Sequence, residues 1–126
     1  FFIMSSQATA MAEYERKEKN QMVSLTKDAD LLVCCIYKEY LSRRKSGISK
    51  DDASLFENDI STISDRISSW SKEDISDTLS ELKEIAFVKI YIDGSFKITK
   101  ELVIYMENRF KNGLTEVIEF ISKFIP

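Results

Sequence analysis

Histidine is absent from all 126 residues, which removes the commonest general base, the commonest zinc ligand and the one side chain that titrates near neutrality. Nucleophilic chemistry would fall to serine, threonine or cysteine hydroxyls and thiols without an imidazole partner. The two cysteines, Cys34 and Cys35, are neighbours inside the apolar run from Leu31 to Tyr37. Adjacent side chains there diverge, and a bridge between them would strain the backbone, so reduced thiols are expected. Three glycines form no phosphate-cradling loop. The Asp51-Asp52 pair fits no calcium-loop spacing and is accounted for by a helix start. The expectation is a non-enzyme with no cofactor and no metal.

The cations remain as candidate chemistry. Arg43, Arg44 and Lys45 form one cluster, Lys89, Tyr91 and Lys97 another, and Lys72 and Lys83 lie between them in sequence. On one side of a fold these eight residues would grip a phosphate backbone; the plain alternative is a set of solvated surface side chains. The charge distribution opposes the first reading. Residues 1 to 50 hold nine Lys/Arg against six Asp/Glu, residues 51 to 86 three against ten, and residues 87 to 126 six against five. The segment around Lys72 and Lys83 also carries Glu73, Asp74, Asp77, Glu81 and Glu84, so a helix formed there would repel phosphate.

The elements that position these residues follow from capping and periodicity. Residues 1 to 23 read as an extension, with a thin-striped polar helix from Ser6 to Asn20. Phe1-Phe2-Ile3 precede Met4 and are set aside from the fold reading. Residues 24 to 126 form the domain. Thr26 caps a first core helix running to Arg44, with Ala29, Leu32, Cys35, Ile36, Tyr40 and Leu41 inward and Gly47 as the stop. Ser49 and Asp52 suggest a capping box for a short helix through Phe56, and Ile60, Ile63 and Ile67 suggest a further helical turn or two. Ser71 and Asp74 box the next helix, which runs to about Ile85 with Ile75, Leu79 and Leu82 on its core face and Trp70 stapled on Ile75. Val88, Ile90 and Ile92, then Asp93-Gly94, then Phe96 and Ile98 give a β-hairpin on a tight turn. Thr99 caps a helix with Leu102, Val103, Met106 and Phe110 inward, ended by Asn112-Gly113, and a last helix spans residues 115 to 125.

That order resembles a winged helix-turn-helix: mainly α with a small β-hairpin, an α+β fold extended by N- and C-terminal helices. The segment SELKEIAFVKIYIDGSFKITKELVIYMENRF resembles the shared ending of many bacterial winged-helix proteins, in which the recognition helix leads into the wing and then a Thr-capped helix. The likeness spans residues 27 to 111. ITKELVIYMENRFKNGLTEVIEFISKFI is similar to small uncharacterised winged-helix proteins of Gram-positive bacteria and their phages. One departure is Glu84-Ile85-Ala86 where such families often place glycine at the end of the recognition helix. The resemblance implies a DNA-binding transcription regulator, and the charged set read above, Arg43, Arg44, Lys45, Lys72, Lys83, Lys89, Tyr91 and Lys97, supplies the candidate contacts to duplex DNA. The acidic third helix suggests the alternative, a protein-interaction or dimerisation module without DNA. The last helix is apolar over so much of its circumference that a homodimer through Val117, Phe120, Ile121, Phe124 and Ile125 is expected. No apolar run reaches the roughly 20 residues needed to span a bilayer, and no signal-peptide pattern is visible, so no membrane partner and a cytoplasmic location are expected.

Overall fold

The computed structural model describes residues 24–124; the extension at 1–23 and Ile125 lie outside the described residues. Helix α1 (Lys27–Lys45) is the centre of the domain. The Thr26 hydroxyl accepts the Ala29 N–H at 3.2 Å, Asp28 and Asp30 occupy the first turn, and Arg43, Arg44 and Lys45 the last, in accord with the helix dipole. Leu32 through Tyr37 are all buried, together with Ala29 and Tyr40. A helix buried around its circumference must be surrounded, which is why Val33, Cys34 and Tyr37 join the core beyond the single face read from the sequence. Gly47, at φ +93°, ends it: its N–H bonds the Arg44 carbonyl, and the Ile48 N–H bonds the Arg43 carbonyl, each at 3.0 Å.

The next segment departs from its sequence reading. Helix α2 stops at Ser54 (Lys50–Ser54), and Leu55–Phe56 form strand β1 instead of a last helical turn. Phe56 stacks on Phe96 across the strands, with ring centroids 5.2 Å apart, and a strand conformation is what brings the rings together. Arg43 fixes the exchange by donating to the Ala53 and Leu55 carbonyls at 3.2 and 2.8 Å while its guanidinium lies 4.3 Å over the Phe56 ring. Ile60 and Ile67 are buried, yet the segment that holds them is a 3-10 turn at Ser61–Ile63 followed by further tight turns. Ser and Asp hydrogen-bond locally in competition with a helix: Asp59 accepts from the Ser61 N–H and hydroxyl, and the Ser64 hydroxyl from the Arg66 N–H.

Helix α3 (Lys72–Glu84) buries Ile75, Thr78, Leu79 and Leu82, with Trp70 half-buried against the same core. Its cap forms in one direction only. Ser71 accepts the Asp74 N–H at 3.0 Å, as Ser49 accepts that of Asp52, and each aspartate is one methylene shorter than the glutamate that completes a capping box. The C-terminus is a Schellman turn, with the Phe87 N–H on the Leu82 carbonyl and the Ala86 N–H on that of Lys83, both 2.9 Å. Ala86 sits at φ +65°, the position that favours glycine, and is held there by the Thr99 hydroxyl on its carbonyl at 2.6 Å. Ala86→Gly is therefore expected to stabilise the fold by about 0.5–1 kcal/mol, read as a higher urea midpoint at unchanged m.

Strands β2 (Val88–Ile90) and β3 (Phe96–Ile98) form the hairpin. Together with β1 they make an antiparallel sheet in the order β1-β3-β2. The connection is longer than the tight turn read from Asp93-Gly94. The Tyr91 N–H bonds the Ser95 carbonyl at 2.8 Å and the Gly94 N–H the Tyr91 carbonyl at 2.9 Å. Only Gly94, at φ +87°, is left-handed, so Ile92 belongs to a three-residue loop and not to β2.

Helices α4 (Lys100–Arg109) and α5 (Leu114–Ser122) complete the domain. Thr99 caps α4 through the Leu102 N–H. Leu102, Met106 and Phe110 are buried and Val103 is half-buried. Helix α5 packs on α1, burying Val117 and Ile121. Phe120 meets Phe110 and Phe124 edge-on, each at 5.4 Å. Arg109 pairs with Asp30 and lies 4.9 and 4.6 Å over the Phe110 and Phe120 rings. Arg66 caps the C-terminal carbonyls of Phe124 and Ser122 at 2.9 and 3.1 Å. These contacts correct the premise of the dimer expectation. Val117 and Ile121 are buried within their own chain, Phe120 and Phe124 are half-buried in an aromatic row, and Ile118 is left 45% exposed. No helix among the described residues is long and apolar enough to cross a membrane.

Candidate interaction site

The sheet register sorts its side chains between two faces. Phe56, Phe96 and Ile90 oppose one another toward the core, whereas Leu55, Lys97 and Lys89 oppose one another on the outer face. Lys89 and Lys97 are thus direct cross-strand neighbours, a like-charge pair that disfavours the sheet unless neutralised. Asp51, in the first turn of α2, supplies the neutralisation by an ion pair with Lys97, and this hydrogen bond holds the Lys97 ammonium above its ordinary pKa.

The seven cations and Tyr91 picked out from the sequence are divided among different roles. Arg43 is spent on Glu39, on two carbonyls and on the Phe56 ring. Arg44 donates to the Ile48 carbonyl at 2.8 Å. Lys97 is paired with Asp51. Lys45, Lys89 and Tyr91 are exposed. Lys72 and Lys83 are exposed at opposite ends of α3, eleven residues and about 16 Å apart along the axis.

Along its length α3 presents acid. Asp74, Asp77, Glu81 and Glu84 recur at spacings of three, four and three, which places them in one stripe on a helix. Asp74, Asp77 and Glu84 are exposed, and Glu81 is half-buried, accepting from the Thr26 hydroxyl at 3.2 Å. The opposite side of α3 is the core face carrying Ile75, Leu79 and Leu82.

The chain matches no family model, no curated protein and no solved structure.

A second surface lies where α2, β1 and the hairpin loop meet. An open cleft of about 730 Å³ is lined there by Asp51, Asp52, Leu55, Tyr91, Ile92 and Asp93, with Ser95 and Lys97. Leu55 and Tyr91 are 48% and 40% exposed and Ile92 is fully exposed. The Asp93 carboxylate accepts both the Ser95 N–H at 2.9 Å and its hydroxyl at 2.6 Å, and these bonds hold its pKa below the ordinary carboxylate value. Leu55, Ile92, Asp52 and Asp93 were not among the candidate site residues read from the sequence. Leu55 was hidden by being assigned to a helix, and Ile92 by its apparent alternation with Val88 and Ile90. Among the described residues no group of three or more histidine, cysteine, aspartate or glutamate side chains is placed to hold a metal.

Proposed function

We propose that this chain is a non-catalytic winged-helix module that docks a protein partner carrying a basic surface, through the exposed acidic stripe of α3. The order α1, α2, β1, α3, β2, β3 with the sheet arranged β1-β3-β2 supports the winged-helix reading, with α3 in the place of the recognition helix. The observation that carries the functional reading is the stripe itself. Four carboxylates at three- and four-residue spacing cost the helix about 0.2–0.5 kcal/mol for each neighbouring like-charge pair, and they meet a phosphate backbone with the wrong sign. A complementary cationic surface relieves that repulsion and is steered toward it.

The exposed Lys45, Lys89 and Tyr91, beside the same sheet order, favour duplex DNA as the second reading, in which the protein is a transcription regulator. A fluorescence-anisotropy titration of a random duplex at about 50 mM salt separates the two. The protein-docking reading expects no saturable binding up to about 100 μM chain, whereas a regulator binds with an affinity that falls steeply as salt rises.

A further inference from the structure

We propose that the cleft between α2 and the hairpin loop is a second docking site, independent of α3, and that its occupant is a polypeptide segment in which lysine or arginine stands beside aliphatic or aromatic side chains. Three apolar side chains lie open here without a structural reason. Ile92 sits in the hairpin loop at 108% of its reference exposure. The loop is closed by the Tyr91, Gly94 and Ser95 backbone groups and by Gly94's positive φ, so it needs no apolar residue at position 92. Leu55 points from β1 to the outer face, opposite Lys97, and Tyr91 extends the same face from the end of β2. An exposed apolar group with a polar rim is the usual form of a recognition surface.

The rim fixes the sign of the occupant. Asp51, Asp52 and Asp93 line the cleft with one lining cation, Lys97, which is already paired with Asp51; exposed Lys89 stands across the strands from Lys97, outside the lining, and leaves the carboxylates in excess. The Asp93 carboxylate is held ionised by Ser95 through one oxygen, Oδ1, and Asp52 is exposed in the first turn of α2. Two carboxylates thus remain to meet cations from outside, beside apolar surface for aliphatic neighbours of those cations. Phosphate-bearing partners, whether nucleic acid or an anionic lipid surface, meet the same repulsion.

Panning a library of displayed random 12-residue peptides against the full chain tests this assignment. Enriched sequences are expected to combine Lys or Arg with Leu, Ile, Val or Phe. A synthetic peptide of the enriched sequence should bind at least tenfold more weakly to Ile92→Ser and to Asp52→Asn, both changes at exposed positions, and more weakly as salt rises. Its affinity for the α3 variant Asp77→Lys/Glu84→Lys should be unchanged, which separates this site from the α3 reading. Absence of enrichment, enrichment of acidic or cation-free peptides, or undiminished binding to Ile92→Ser would overturn the proposal. So would self-association of the chain that Ile92→Ser abolishes, since the occupant would then be a second copy.

Discussion

Phe96→Ala is expected to lower the unfolding free energy by about 3–5 kcal/mol, the range for emptying a buried aromatic site, measured by urea denaturation followed by circular dichroism. Phe96 is fully buried on β3, the strand that joins both edges of the sheet. Its ring lies 5.2 Å from that of Phe56 with an interplanar angle of 6°, and Phe56 in turn lies under the Arg43 guanidinium. Removing one ring therefore opens a cavity and loosens the reason for Leu55 and Phe56 to leave the helix and become a strand. Phe96→Leu, which refills most of the volume, should recover the larger part of the loss. Ile92→Ala, at the exposed hairpin loop, should stay within about 0.5 kcal/mol of the parent.

Alkali is the second large effect. Burial pushes the Cys34 thiol up to about 12 from an ordinary value of 9.0, with the nearby Asp30 charge adding to the shift. Burial likewise pushes the Tyr37 hydroxyl up to about 12 from 10.0, with Glu107 adding. Cys35 is raised in the same direction, chiefly by burial. In each case the unfolded chain loses its proton first, so between the unfolded and folded values the native state binds more protons and stability falls as pH rises. Each such group contributes a slope of roughly 1.4 kcal/mol per pH unit within its window. Stability should therefore be level up to about pH 8, begin to fall near pH 9 as Cys34 enters, and fall more steeply above pH 10 as Tyr37 joins. Urea melts from pH 7 to 11 measure this, and Cys34→Ala should reduce the earlier part of the decline, leaving the share of Cys35, while lowering stability at pH 7. A flat profile to pH 11 would mean that neither group is protected as the fold implies.

The local grammar of the chain was readable where one residue decides one feature. Thr26, Ser49, Ser71 and Thr99 cap helices, Gly47 stops one, and Gly94 turns the hairpin, because capping and positive φ depend on neighbours within a few residues. What was not readable depends on distant partners. Leu55 and Phe56 follow five helical residues and continue their pattern, and only Phe96, forty residues later, makes them a strand. Ile60 and Ile67 kept their core places while serine and aspartate hydroxyls and carboxylates took the backbone out of helix. The apolar excess of α5 suggested a partner chain, yet α1, itself buried all round, supplies the covering surface for Val117 and Ile121. The engagement of two of the cations was hidden for a similar reason. Arg43 and Lys97 are surface charges in sequence, and their engagement with Leu55 and Asp51 appears only once α2 turns into β1. The acidic character of α3 was legible from composition, whereas its arrangement as a stripe with Asp74, Asp77 and Glu84 exposed required the helix to be placed with Leu79 and Leu82 inward.

In the proposed reading α3 takes the place of a recognition helix, with carboxylates where basic side chains would stand. Reversing two of them, Asp77→Lys/Glu84→Lys, and titrating wild type and variant with a random duplex at about 50 mM salt addresses both halves of that claim at once. The variant is predicted to bind in the micromolar range of non-specific DNA contacts, with affinity falling steeply as salt rises, while wild type shows no saturable binding. Wild type binding as tightly as the variant, or a folded variant that still ignores DNA, would contradict it.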